Sequence, residues 1–268
     1  MKQIGHRACM GHNLPYPPRE NTLLAIQYAL ESKIDMIEID IRFSQDDCLV
    51  LSHDRDLERL HQLSTQIRNL PASILEEKYQ IPTLQQVIKM VDGRLPIMLD
   101  LKEFSSSFMK KVIQDLSEVE CGHILVGSFH HPSIQKYRSL LQKMGCRVGM
   151  IMSGYPTSFP NLEGMDYLVS ELDFGSEVST HIHGVVNTGN LAWYLYDIIS
   201  LDHWKKYHYS RTWDCQPQGL IVNQLHLCRI DFSPSLSHHI NTVRSCRSAG
   251  GVDKSQDTAV ILQGFKEK

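Results

Sequence analysis

Apolar residues along this chain recur in two rhythms, and the rhythms take turns. Short runs rich in Ile, Val and Leu alternate with segments whose apolar positions return every three or four residues, as parallel strands joined by crossover helices require. KQIGH at residues 2–6 predicts a first strand. Glu20-Asn21-Thr22 then leads into LLAIQYALES, where Leu24, Ile26, Tyr28, Ala29 and Leu30 are grouped too closely for alternation and fit a helix capped by Asn or Thr. MIEIDI predicts the second strand, and LVLSHD extends or re-enters the same sheet. Residues 55–80 lack clean periodicity and predict a loop or small excursion. Thr83 caps the next helix, which carries Leu84, Val87, Ile88 and Val91 and stops at Gly93.

The exchange continues through strand LPIMLDLK, a helix near 105–118, strand HILVGSF, a helix from Pro132 to Met144, and strands CRVGMIM and MDYLVS. HIHGVVN reads as the seventh strand, LAWYLYDIISLDHWKK as the helix behind it, and GLIVNQL as the eighth strand. Eight strands with helices between them predict an α/β fold, a TIM-type (β/α)8 barrel with a small excursion after the second strand. An open doubly wound sheet is the competing architecture. The barrel is expected over residues 1–230. From Asp231 the pattern gives way to a polar, Ser-rich stretch, so 231–268 is expected to be a poorly ordered tail.

Composition narrows the class. The 268 residues suit one large core, and the hydrophobic and charged fractions of 42% and 21% lie near soluble averages. No apolar run reaches the roughly 18 residues of a membrane span. A formal net charge of -3 excludes a general pull toward nucleic acid. Seven Cys are odd in number and lack CxxC spacing, and MKQIGHRACM has no apolar core of signal-peptide length. The expectation is a reducing, cytoplasmic setting with free thiols. The sequence leaves the oligomeric state open.

The chemistry sits at strand ends. In IDMIEIDIR, Ile37, Ile39 and Ile41 share one face of the strand while Glu38 and Asp40 share the other. If that second face looks into a barrel, two carboxylates converge where an unpartnered charge would cost several kcal/mol, and a bound cation relieves the conflict. A solvated face balanced by Arg42 is the competing reading of this strand alone. LPIMLDLK repeats the scheme, with Met98, Asp100 and Lys102 opposite Ile97, Leu99 and Leu101. Oxygen ligands from Glu38, Asp40 and Asp100 suit a hard divalent ion, Mg²⁺ or Ca²⁺, better than a structural Zn²⁺. His6-Arg7 closes the first strand and His53-Asp54 follows the second, which offers two imidazoles for proton transfer. Arg7 and Lys102 are candidate phosphate ligands. Phe129 is a candidate pocket wall, or equally an ordinary core aromatic. HIH at 181–183 and HH at 130–131 and 238–239 lack partner ligands at recognised spacing. The chain has no Walker glycine loop, GxGxxG or G-x-S-x-G elbow, against nucleotide-dependent and serine-hydrolase chemistry.

HRA, RENT, EID and HD stand in that order between residues 5 and 54, and with IPTLQQV, IMLDLK and VGSFHHPSI they resemble the glycerophosphodiester phosphodiesterase family over roughly the first half of the chain. The resemblance implies a TIM barrel that hydrolyses glycerophosphodiesters to glycerol 3-phosphate and an alcohol. It also implies His6 and His53 as the acid/base pair, Arg7 and Lys102 on the phosphate, and Glu38, Asp40 and Asp100 on the metal. The partner is then a small-molecule phosphodiester, not nucleic acid. Contact with lipid through the aromatic segment LAWYLYDIISLDHWKKYHY would extend this to a lysophospholipase D-type activity. A catalytically inactive barrel binding a phosphorylated ligand is the reading from another class. The chain departs from the family pattern at Ala8, where Gly is usual, at Arg19, where Pro is usual, and at Asp100, often Glu. Its GVVNT and QGLIVNQL stand where the family has Trp-Thr-Val-Asn and Gly-Val-Asp-Gly-Ile strands.

Overall fold

The computed structural model describes residues 2–8, 18–32, 34–154, 159–187, 189–198 and 214–222. Its strands are β1 (Lys2–Gly5), β2 (Met36–Phe43), β3 (Leu49–Leu51), β4 (Asp56–Leu57), β5 (Leu63–Gln66), β6 (Ile97–Leu101), β7 (Ile124–Ser128), β8 (Arg147–Met152), β9 (Tyr167–Glu171), β10 (Ala192–Ile198) and β11 (Gly219–Val222). Its helices are α1 (Leu23–Glu31), α2 (Glu58–His61), α3 (Ala72–Tyr79), α4 (Leu84–Val91), α5 (Ser106–Leu116), α6 (His131–Lys143) and α7 (Gly175–Asn187).

Eight strands pair in parallel in the order β1-β11-β10-β9-β8-β7-β6-β2, and β1 pairs with β2 to close the ring. β3 lies outside the ring, antiparallel on the far end of β2 through Ile41–Leu51 and Phe43–Leu49. Closure removes the exposed sheet edges and sends alternate side chains inward. Ile4, Met36, Met98, Leu125, Ile151, Tyr167, Val169, Ala192, Tyr194 and Ile221 fill the interior. Ile37, Ile39, Ile41 and Phe43 face the other way and are buried, Phe43 edge-on to Phe108 of α5 with 5.0 Å between ring centroids. Two glycines make room for a large interior side chain, Tyr167. A Cβ at Gly127 would stand 2.6 Å from the Tyr167 hydroxyl, and one at Gly149 would stand 2.5 Å from the Tyr167 ring.

The helices start where the sequence caps them. Thr22 accepts from the Ala25 amide, and Thr83 and Gln86 form a reciprocal capping box at α4. The excursion after β2 has order of its own: β4 and β5 pair antiparallel, and Val50, Leu57, Ile67, Ala72, Leu75 and Ile81 form a satellite core.

Two expectations are overturned in the second half. HIHGVVN lies in helix α7, where Val178, Ile182 and Val186 recur every fourth residue and are buried while His181 and His183 are exposed. Of LAWYLYDIISLDHWKK, Ala192–Ile198 is strand β10, the seventh of the ring, and not a covering helix, while residues 199–206 lie outside the described residues. Ala192, Tyr194 and Tyr196 point into the barrel, and Trp193 and Leu195 are buried on the opposite face. A strand buried on both faces shows little alternation, and that hid it. GLIVNQL supplies the eighth strand through Gly219–Val222, as expected. The anticipated tail at 231–268, with His238 and His239, lies outside the described residues.

Candidate active site

β2 and β6 run side by side in a register that sets Asp40 directly opposite Asp100 and Glu38 opposite Met98. Because side chains on parallel neighbours lean the same way, the inward positions of both strands deliver three carboxylates to one end of the barrel. Ligand oxygens of Glu38, Asp40 and Asp100 lie within 4.8 Å of one another, and all three residues are buried. Lys102, two residues past Asp100, reaches back to 2.5 Å from Asp100 Oδ2 and 2.9 Å from Asp40 Oδ1.

The three acids do not share their charge equally. Burial, then the neighbouring Asp40 and Asp100, raise the Glu38 carboxyl well above its ordinary range. Burial raises Asp100 to about 6 despite Lys102 beside it. Burial also acts on Asp40, but Lys102, His53, Arg7 and the Asn21 hydrogen bond together outweigh it and hold that carboxyl low. The Lys102 ammonium is held above its ordinary range, with Asp40 and Asp100 overcoming burial. Asp100 Oδ1 is buried with no hydrogen-bond partner. A crowd of buried carboxylates with one oxygen left over is the donor set of a hard divalent cation, so the residues present fit such an ion.

The first turn after β1 supplies the opposite wall. The Arg7 amide donates to Glu38 Oε2 at 2.8 Å, and His6 Nε2 stands 4.0 Å from the same oxygen. Arg7 Nη1 bonds Glu20 Oε1 at 2.9 Å, while its Nε, buried and without a hydrogen bond, lies 3.7 Å from Asp40 Oδ2. This turn needs left-handed backbone at Arg7 (φ 55°) and Ala8 (φ 54°). An L-residue with a Cβ is disfavoured there by about 1–2 kcal/mol, the physical reason glycine suits the position that Ala8 fills.

His53 follows β3. Its Nδ1 donates to Asp54 Oδ1 at 2.8 Å, since a carboxylate can only accept, and this leaves Nε2 as the nitrogen available for proton exchange. Burial lowers the His53 pKa, against the pull of Asp40 and Asp54. His6, Arg7, Glu38, Asp40, His53, Asp100, Lys102 and Phe129 all line one cavity of about 250 Å³, completed by Met98, Ile151, Val169, Tyr196 and Ile221. All eight residues singled out from the sequence are therefore brought together. Phe129 is a wall residue, 42% exposed, with Lys102 Nζ 5.4 Å from its ring centroid.

Sequence reasoning missed the supports. Asn21 donates to Asp40 Oδ2 at 2.8 Å and accepts from the Asp40 amide at 3.3 Å. Arg59, on α2 in the excursion, donates through Nε to Asp54 Oδ2 at 2.6 Å and through its other nitrogens to Glu20. One guanidinium thus ties the partner of His53 to the partner of Arg7. RENT flagged Glu20 without a role and Asn21 only as a candidate helix cap, a part that Thr22 takes, and nothing local flagged Arg59. Tyr196, held by the Met152 carbonyl at 2.9 Å and edge-on to Phe129, was hidden in the misread strand. The histidines weighed as a second metal site make local bonds instead: His181 and His183 to carbonyls of their own helix, His130 to Ser133. Among the described residues, the acidic trio is the one cluster with metal-ligand geometry.

Comparison with known proteins gives the family and the fold. A model of the glycerophosphoryl diester phosphodiesterase family matches residues 6–143. A glycerophosphodiester phosphodiesterase of Bacillus altitudinis is 28% identical over 158 residues, which cover 52% of this chain and 62% of that protein. A lysophospholipase D of Homo sapiens is 29% identical over 154 residues, covering 50% of this chain and 47% of that protein. The chain therefore spans less than two thirds of the length of either relative. The crystal structure of a glycerophosphodiester phosphodiesterase from Thermotoga maritima superposes with a TM-score of 0.67 at 22% identity, over 84% of this chain and 96% of that one. A phosphodiesterase from Oleispira antarctica, solved with the product sn-glycerol-3-phosphate, superposes with a TM-score of 0.66 at 20% identity, over 83% and 93%. At these identities the structural likeness carries the barrel fold.

Proposed function

The chain belongs to the glycerophosphoryl diester phosphodiesterase family, and on that premise we propose that it hydrolyses glycerophosphodiesters to glycerol 3-phosphate and an alcohol. The observation that carries this reading is the acidic trio, with the unpartnered Asp100 Oδ1, meeting His6 and His53 in a single cavity. Glu38, Asp40 and Asp100 would hold a divalent ion, Mg²⁺ or Ca²⁺, which when bound neutralises charge on the phosphate. Arg7 orients the phosphoryl oxygens, and Lys102 adds a point charge at the carboxylates' edge. His53, steered by Asp54, exchanges a proton through Nε2, and His6 serves the opposite side of the reacting phosphorus. One imidazole activates the attacking oxygen and the other protonates the leaving alkoxide. Phe129 and Tyr196 limit water at the mouth.

The gathered constellation favours turnover over an inactive binding barrel. Four described cysteines, Cys48, Cys121, Cys146 and Cys215, are free, which supports the reducing, cytoplasmic reading. No described helix is long and apolar enough to cross a membrane.

A second reading, lysophospholipase D-type action on lipid phosphodiesters, is favoured by the exposed Phe104 and Phe129, 55% and 42% accessible, and by the human relative's activity. It does not rest on an aromatic covering helix, since residues 192–198 of that segment are β10 and residues 199–209 lie outside the described residues. The deciding experiment measures glycerol 3-phosphate release from glycerophosphocholine and glycerophosphoethanolamine with Mg²⁺ or Ca²⁺, beside EDTA and His6→Ala controls. Metal-dependent release that His6→Ala abolishes supports the primary reading. Cleavage confined to micellar lysophosphatidylcholine, read in a parallel assay as lysophosphatidic acid and choline, supports the second, and no metal-dependent product from either substrate class refutes both.

A further inference from the structure

A second cavity, of about 330 Å³, opens beside the first, and Lys102 lines both. Its walls carry Arg42, Arg55, Arg68 and Lys102 against a single acid, Glu103. Two of these cations are already engaged: Lys102 by Asp40 and Asp100, and Arg68 by Asp47 and the Ser44 carbonyl. The other two make no ion pair with a carboxylate, although Arg42 feels the charge of nearby Glu103, Asp40 and Asp54. Arg42, half-buried, gives Nε and Nη2 to a neutral acceptor, the His53 carbonyl, at 3.1 and 2.8 Å. Arg55 is exposed, and its side chain makes no hydrogen bond or ion pair among the described residues. Glu103 is turned toward the backbone, accepting from the Phe43 amide at 3.1 Å. Ser105, the N-cap of the eleven-residue helix α5, also lines the cavity, so the positive end of that helix dipole faces the same space.

We propose that this groove is the subsite for the leaving alcohol, and that it selects an alcohol bearing a phosphate monoester. The inference rests on the hydrolase reading and adds the substrate's charge class to it. A phosphodiester seated between Arg7 and the acidic trio has one ester arm toward Lys102, and past Lys102 that arm enters a space walled by arginines. A quaternary ammonium headgroup meets repulsion there, whereas a phosphate monoester meets the Arg55 guanidinium, which can bind phosphate through paired N–H donors, with the charge of Arg42 behind it.

The test compares kcat/KM for three glycerophosphodiesters: choline, unphosphorylated inositol, and inositol carrying a ring phosphate. The expected order places the phosphorylated inositol ester at least about tenfold above the other two, from charge-assisted contacts. Arg55→Gln, which breaks no described side-chain contact, should reduce that preference about tenfold, and Arg55→Lys should restore part of it. Equal rates for the three esters, or a preference that survives Arg55→Gln, overturns the proposal while leaving the hydrolase reading intact. If none of the three is cleaved with Mg²⁺ or Ca²⁺, the hydrolase reading fails, and calorimetry of inositol 1,4-bisphosphate binding decides the subsite separately. Binding weakened by Arg55→Gln supports it, and absent or unchanged binding overturns it.

Discussion

Asp100 illustrates how burial can strain one side chain's charge in the very place where the proposed site calls for it. Its carboxyl is raised by burial from 3.8 to about 6, so the folded state holds a proton that the unfolded state releases earlier. Its contribution to stability is therefore fully present below about pH 3.8 and is lost as pH rises through about 6. Without divalent ions, the stability of the native protein relative to Asp100→Asn should decline across that window, measured by urea denaturation at stepped pH. The same substitution should remove the gain from Mg²⁺ or Ca²⁺. Arg59 touches Asp54 and Glu20, and we propose it as a positioning residue that acts through them. Arg59→Gln severs the ties to Asp54 and Glu20 together, and kcat should fall roughly tenfold with a smaller change in KM. Freeing Asp54 of its cation strengthens that carboxylate's pull on His53 and favours the protonated imidazole, so the limb of the kcat profile that His53 controls should move to higher pH. A profile that stays in place would reduce Arg59 to a surface ion pair.

Elements differ in how clearly they announce themselves. β2 and β6 were legible because isoleucine and leucine fill one face while acids break the other, and that contrast exposed both the strands and the chemistry they carry. β10 was not, because Trp193 and Leu195 are as buried as Tyr194, leaving no alternation to read, and α7 lost its Val178-Ile182-Val186 stripe to a shorter window. The excursion was recognised as irregular but not as ordered, since its satellite core joins Val50 to Ile81 across thirty residues of weak local pattern. Contacts such as Arg59 to Glu20 join elements distant in sequence, and neither partner's local pattern records them. Packing between β8 and β9 yields a prediction of its own. Gly149→Ala drives a methyl into the ring and carbonyl of Tyr167, so it should cost about 1–3 kcal/mol or prevent folding, as chemical denaturation will read.

At the scale of the whole molecule, a closed ring spreads any local gain to all eight strands. A divalent ion that binds only the folded barrel, at about a hundred times its dissociation constant, adds about 2.7 kcal/mol, or roughly 5–10 °C in Tm for a domain of this size, and EDTA should reverse it. A Tm indifferent to both would remove the cation from the acidic trio. Lys102 has a larger consequence. Lys102 lines both chambers and its ammonium holds Asp40 and Asp100 in the inner one, so an outer anion that drew the ammonium to itself would loosen that hold. The two occupancies then close a thermodynamic cycle: the factor by which an outer anion changes cation affinity is the factor by which the cation changes the anion's, whichever arrives first.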